Sequence, residues 1–247
     1  MKSQLYRERL RSLKKWDSFL LENSGLPGPR GNIELALAVA EEGDERLFLR
    51  LVSYGPEQAP TGTAEEFLAF CGTVGLGTLL AQGDDRFLKI LRQQASDPRW
   101  RIREGAAMAL QRLGDADMDR LIDRMRGWAG GSPLEMRAAA AAVCEPRLLV
   151  RREHALQVLS LLDRITASMI KVEDRKTDGF KALRKGLGYC WSVAVAALPD
   201  DGKEKMERWL EVDDPDVIWV MKENLRKNRL ARLDPDWVRQ WRKRLGI

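Results

Sequence analysis

Histidine is almost absent from this chain of 247 residues: His154 stands alone. One imidazole excludes an HExxH zinc site, a histidine-rich metal site and any serine-histidine-acid triad that depends on a second histidine. His154 itself falls in the first turn of a predicted helix, a position that favours a packing role over a catalytic one. Cysteine is scarce too. Cys71, Cys144 and Cys190 are far apart, lack CxxC spacing and sit in apolar helical context, so they read as small buried thiols and not as disulfides. The apolar runs 138–144 and 191–198 fall short of the roughly 20 residues of a membrane span, and no span is expected. Residues 1–21 carry charge throughout and have no apolar signal core, so a cytoplasmic location is the expectation. The glycine-rich stretch 25–31 lacks the Gly-Lys-Ser/Thr ending of a phosphate loop. No metal and no cofactor are therefore expected.

What the chain does contain is helix punctuation. Hydrophobic residues make up 44% and charged residues 32%, enough apolar material for a core and enough charge for a solvated exterior. The spacing predicts helices over about 5–21, from Asn32, from Asp44, from Thr63, and near 115–128, 151–170, 177–198 and 200–211. Thr63 with Glu66 reads as a capping box. Asp97-Pro98, Ser132-Pro133, Asp214-Pro215 and Asp234-Pro235 each set a capping side chain before a proline at the first helical position, where its missing N–H costs nothing. Gly72, Gly75 and Gly77 interrupt an apolar segment and mark either a helix break or a close helix crossing. Paired acids such as Asp84-Asp85, Asp200-Asp201 and Asp213-Asp214 lie at helix starts, where capping explains them. No run alternates as a half-buried strand would.

A repeat register runs through the middle of the chain. Ile102 and Arg103 followed by Ala106, Ala107 and Leu110 correspond, 34 residues later, to Met136 and Arg137 followed by Ala140, Ala141 and Cys144. The segment 97–113, with its apolar-then-arginine pair and its small residues, resembles the first helix of a HEAT repeat. That resemblance is clearest over 97–145, weakens at 214–230 and is poor before residue 83. It implies an all-α fold: an α-α superhelix, or HEAT-like solenoid, of about thirteen helices in antiparallel pairs. It further implies one domain over 1–247 with degenerate capping units at both ends, monomeric by default.

Charge and aromatic content bear on function. Residues 1–22 carry +3 and residues 215–247 carry +5 against a total of +5, so the middle is near −3. Cationic ends attract nucleic acid or acidic proteins; they also arise simply because Lys and Arg favour exposed helical faces and last turns. There are eight tryptophans, and several stand among basic residues. The interleaving selects Arg99, Trp100, Arg101, Arg103, Arg137, Arg184, Lys185, Trp191, Trp219, Lys222, Arg226, Lys227 and Arg229 as candidate binding residues. Such rings either stack on a ligand or fill gaps between helices with the indole N–H bonded to a carbonyl. Asn224 and Asn228, four apart, bridge units or face a ligand. Trp100 to Glu104 and Trp219 to Leu230 are also similar to stretches of the HEAT-like DNA alkylation repair glycosylases. That likeness implies a DNA-cradling basic face and base excision aided by tryptophans and an acid. No residue here matches the motif of the family's catalytic acid, so the catalytic residue is unknown; Asp97, beside Trp100, is a conceivable component of such a site. The expectation is a non-catalytic binding or scaffold module for a protein partner, with DNA binding as the alternative.

Overall fold

The computed structural model describes residues 2–247, and among these it contains fifteen α-helices, one short 3-10 turn and no strand. The internal contacts gather into two compact units divided between Ala116 and Asp117, where the sequence reading takes the chain as one array. The first unit holds α1 (Lys2–Ser12), α2 (Asp17–Glu22), α3 (Ile33–Glu42), α4 (Glu45–Val52), α5 (Ala64–Ala81), α6 (Arg86–Gln94) and α7 (Trp100–Ala116). The second holds α8 (Met118–Trp128), α9 (Pro133–Val143), α10 (Arg152–Ile170), α11 (Asp178–Ala197), α12 (Pro199–Leu210), α13 (Pro215–Leu225), α14 (Asn228–Leu233) and α15 (Pro235–Leu245), with the 3-10 turn Pro146–Leu148 before α10.

Most helix starts follow local capping chemistry. Asn32, Asp44, Ser132, Asp214 and Asp234 each accept a hydrogen bond from a backbone N–H of the first turn, and Ser132 with Glu135 completes a reciprocal capping box. Two expectations change. Asp97 does not cap α7, because its carboxylate turns to Arg99, and the helix begins at Trp100. The expected 5–21 helix is two helices, since the Trp16 indole donates to the Leu10 carbonyl at 3.0 Å and holds the chain in a turn.

In the first unit α1, α3, α5 and α7 pack side by side in sequence, with α4 and α6 against α5. The glycine-interrupted segment is one continuous helix, and the interruption is a close crossing. A Cβ on Gly72 would lie 2.6 Å from the Val52 nitrogen, and one on Gly77 would lie 2.5 Å from the Ala109 Cα. The same helix, α5, is long and apolar enough to cross a membrane by length and composition, which the apolar runs picked out from the sequence did not reveal; 72% of it is buried inside the unit. A helix apolar all round needs neighbours all round, and α3, α4, α6 and α7 supply them. In the second unit α11 takes the central place, flanked by α9 and α13 on one layer and backed by α10 and α12. Trp191 of α11 is wholly buried and donates to the Thr166 hydroxyl of α10 at 3.0 Å.

Glu42 ties α1 to α3. It accepts from Arg7 Nε at 2.5 Å and from Arg11 Nε and Nη2 at 2.6 and 2.7 Å. Its bonds to Arg11 and then to Arg7 hold the carboxyl down to about 2 from an ordinary 4.5. A depressed acid contributes stability that is complete above its unfolded value and is lost as pH falls toward the folded one. Glu42→Gln should therefore be less stable than the parent near pH 6. The gap in melting temperature, followed by circular dichroism, should close as pH falls from about 4.5 toward 2. A gap that is constant with pH would contradict this origin.

Candidate interaction surface

The basic-aromatic residues selected from sequence part into two groups. Around the start of α7 the arginines turn inward. Arg99 is 2% exposed, pairs with Asp97 at 2.8 Å and donates to the carbonyls of Tyr54 and Ala59, both at 3.0 Å. Arg101 pairs with the buried Glu66 at 3.0 Å and donates to the Gly28 carbonyl at 2.8 Å. Arg103 donates to the carbonyls of Asp97 and Pro98. The Arg99 and Arg101 guanidinium groups thus satisfy carbonyls of the loops at 53–62 and 25–31, while Arg103 satisfies those of the turn before its own helix. Asp97, named from sequence as a conceivable site component, spends both carboxylate oxygens on Arg99. Glu66 gives only half of its expected capping box. Its backbone N–H bonds to Thr63, while its carboxylate goes to Gly62 and Arg101. Trp100 alone of this group is well exposed, with Arg101 lying 4.5 Å from its ring centroid.

On the second unit the residues converge. Lys181, Lys185 and Tyr189 are exposed along α11 at four-residue spacing, so they share one outward face. Position 186, one residue past Lys185, is a glycine against which the Arg137 side chain of α9 lies. Gly188 leaves room for α13: a Cβ there would lie 3.1 Å from the Glu223 Cβ and 3.3 Å from the Trp219 ring. This approach sets Trp219 beside Arg184, whose guanidinium is 4.5 Å from the ring centroid. Arg184 is held in place by Asp216 at 2.6 Å, and Asp216 in turn pairs with Arg175 at 3.0 Å. Arg175 also grips Asp214 at 2.9 Å. Burial alone would raise the Asp214 carboxyl, but the Val217 N–H and the Arg175 guanidinium outweigh it and hold the group below its ordinary value. Next to this network the Arg229 guanidinium lies 4.7 Å from the Tyr189 ring centroid and donates to its hydroxyl at 2.5 Å. Arg226 and Lys227 both pair with Glu223, and Lys222 is half-buried.

Trp191, also selected from sequence, lies in the core and outside this surface. Asn224 does bridge helices, accepting from the Ser192 N–H at 2.7 Å and donating to the Leu187 carbonyl at 2.8 Å, while Asn228 is exposed. Sequence reasoning missed Tyr189, Arg175 and Asp216. The lysine-lysine-tyrosine spacing on α11 was the signal for Tyr189; nothing local marks the other two.

The indole N–H groups sort the tryptophans. Trp16, Trp191, Trp209, Trp237 and Trp241 each donate to a group of the chain. Among the described residues Trp100 and Trp219 do not, and both carry an arginine on the ring face.

The clefts elsewhere are open. One, of about 350 Å³ between α8 and α10, is lined by Arg126, Gln157, Ser160, Arg164 and apolar residues; another, of about 760 Å³, is of mixed charge, with Lys14, Lys15, Arg46 and Arg50 beside Asp17 and Asp44. Neither is lined by a histidine or a cysteine. His154 is buried with Nε2 at 3.4 Å from Asp119. Among the described residues no group of three His, Cys, Asp or Glu side chains could hold a metal ion.

The protein is thus an all-α assembly of sequentially packed helices with one built-up basic-aromatic surface on its second unit. Comparison with protein-family models, with curated proteins and with solved structures finds no match to this chain.

Proposed function

We propose that this protein is a non-catalytic helical-repeat binding module of the HEAT-like kind, and that the α11–α13 surface holds an acidic segment of a protein partner. The side-by-side succession of α9, α11 and α13, backed by α10 and α12, supports the repeat reading. The observation that carries the functional reading is Trp219: half-buried, stacked on an arginine pinned by Asp216, its indole N–H left without a partner in the described chain. A rigid aromatic-arginine anchor of this sort is what concentrates binding energy at protein interfaces. Exposed Lys185 and Tyr189 flank it, with Arg229 stacked on the tyrosine.

Charge pairing argues for a protein over a nucleic acid. Duplex binding draws its affinity from several cations free to replace counterions on phosphate. Here Arg184, Arg226 and Lys227 are already paired with Asp216 and Glu223, which leaves few cations free to neutralise a run of phosphates. An acidic peptide needs fewer charges and gains from the apolar rings.

Fluorescent oligoglutamate peptides bearing one aromatic residue should bind the purified protein. Trp219→Ala should weaken that binding by about thirtyfold, the equivalent of roughly 2 kcal/mol, without displacing the far-ultraviolet spectrum. Duplex and single-stranded DNA, with alkylated duplex beside them, are titrated against salt in the same experiment. Tight DNA binding with a steep salt dependence, or release of an alkylated base, would replace this reading by the DNA-repair alternative.

A further inference from the structure

The cleft between α8 and α10 shares no residue with the α11–α13 surface. Its floor is apolar: Ile122 of α8 and Leu161 of α10 are buried, and Leu156 of α10 is half-buried. Two arginines stand over that floor, Arg126 four residues past Ile122 on α8 and Arg164 three past Leu161 on α10, so each shares a helix face with its apolar neighbour. Arg126 donates through Nη2 to Gln157 Oε1 of α10 at 2.9 Å, which ties the α8 guanidinium across the cleft, and its Nη1 lies 3.7 Å from Asp123. Arg164 is exposed and has no hydrogen-bond or ion-pair partner among the described residues. Its Nη2 lies against Gly130, just past the end of α8, where a Cβ would be 3.6 Å away. Both guanidinium groups therefore reach from one helix to the other. Gln157 Nε2 is turned to Asp119 at 3.4 Å, and the Ser160 hydroxyl donates to the Leu156 carbonyl at 3.0 Å, so the arginines are the donors left for a ligand. No carboxylate of the described residues lines this cleft, whereas Asp17 and Asp44 stand among the cations of the larger one on the first unit.

We propose that this cleft binds a phosphate monoester carried on a small aromatic body, with the phosphate between Arg126 and Arg164 and the ring on Ile122, Leu156 and Leu161. A carboxylate has two oxygens and one charge, and a single guanidinium fork saturates it. A phosphate monoester has three terminal oxygens and a charge of about −1.5 to −2, which matches two forks brought from two helices. The apolar floor favours an organic ester over inorganic phosphate. A volume of about 350 Å³ lies at the small end of ligand sites, enough for one ring with its phosphate and too little for a nucleoside triphosphate. A free aryl phosphate and a phosphotyrosine side chain of a partner share this chemistry.

The test titrates phenyl phosphate into the purified protein at neutral pH by isothermal titration calorimetry, with benzoate and inorganic phosphate beside it. Phenyl phosphate should bind, and the other two should bind about tenfold more weakly, one lacking the second charge and the other the ring. Arg126→Gln and Arg164→Gln should each weaken phenyl phosphate binding by about tenfold. Both side chains are exposed, and the circular dichroism spectrum should not change. Arg208→Gln, which removes an exposed arginine of α12 outside the cleft, should alter binding by less than about twofold. A phosphotyrosine peptide separates the two sources: tighter binding than phenyl phosphate assigns the site to a phosphorylated partner, and equal or weaker binding assigns it to a free ester. Benzoate or inorganic phosphate matching phenyl phosphate would overturn the ligand class. Failure of both esters to bind at millimolar concentration, or a loss in Arg208→Gln as large as in the cleft variants, would overturn the site.

Discussion

Replacing Arg101 by alanine is expected to remove about 3–5 kcal/mol of unfolding free energy, the usual cost of leaving one member of a buried ion pair alone. Glu66 is wholly buried. Its Oε2 accepts from Arg101 Nη1 at 3.0 Å and from the Gly62 N–H at 2.7 Å, and its Oε1 has no partner in the described chain. Without Arg101 the carboxylate keeps one hydrogen bond and no counter-charge, and the Gly28 carbonyl loses its donor. Guanidinium unfolding followed by circular dichroism measures the loss. The companion variant Arg101→Met with Glu66→Leu decides its origin. Removing both charges together should recover most of the stability, because an uncompensated buried charge costs far more than an absent pair gains. If the double variant is as unstable as Arg101→Ala, packing and not charge accounts for the effect. A midpoint unmoved in Arg101→Ala would mean that the pair is solvated.

The second large effect is a reversal of sign between two glycines. Glycine inside a helix normally costs about 1 kcal/mol relative to alanine, so Gly→Ala should stabilise wherever space allows. Gly127, near the end of α8, has open space where a Cβ would go, and Gly127→Ala should gain up to about 1 kcal/mol. At Gly77 the new Cβ would lie 2.5 Å from the Ala109 Cα and oxygen. Those are backbone atoms of α7, which no side-chain rotation can move aside. Gly77→Ala should therefore separate α5 from α7 and destabilise by roughly 1–3 kcal/mol in spite of its better helix propensity. Melting temperatures of the two variants should move in opposite directions. Stabilisation in both would show that α5 and α7 can part at their crossing at little cost.

The legible and illegible parts of this protein divide by the range of the interactions involved. Asn32, Asp44, Ser132, Asp214 and Asp234 announce their helices because a cap binds an N–H within three residues of itself, and that pairing is written in the local sequence. The all-α class followed from these caps and from apolar spacing. The arginines of the Arg99-to-Arg103 stretch could not be placed in that way. Arg101 meets Glu66 35 positions away and Gly28 73 positions away, and those partners make it a clamp for loops where its sequence neighbours suggested a binding face.

The tryptophans show the same limit. Trp191 follows a basic stretch and Trp219 precedes one, yet the first finds Thr166 and the core while the second finds Arg184 and the surface. Among the described residues nothing local distinguishes Gly77 from Gly127 either; only the passage of α7 beside the first does. The sequence by itself determined where the capped helices begin, that no strand competes with them, and which residues carry charge and aromatic area. Tertiary structure alone decided which of those residues face out, because burial and pairing depend on groups brought together from distant positions, and no short window of sequence contains both partners.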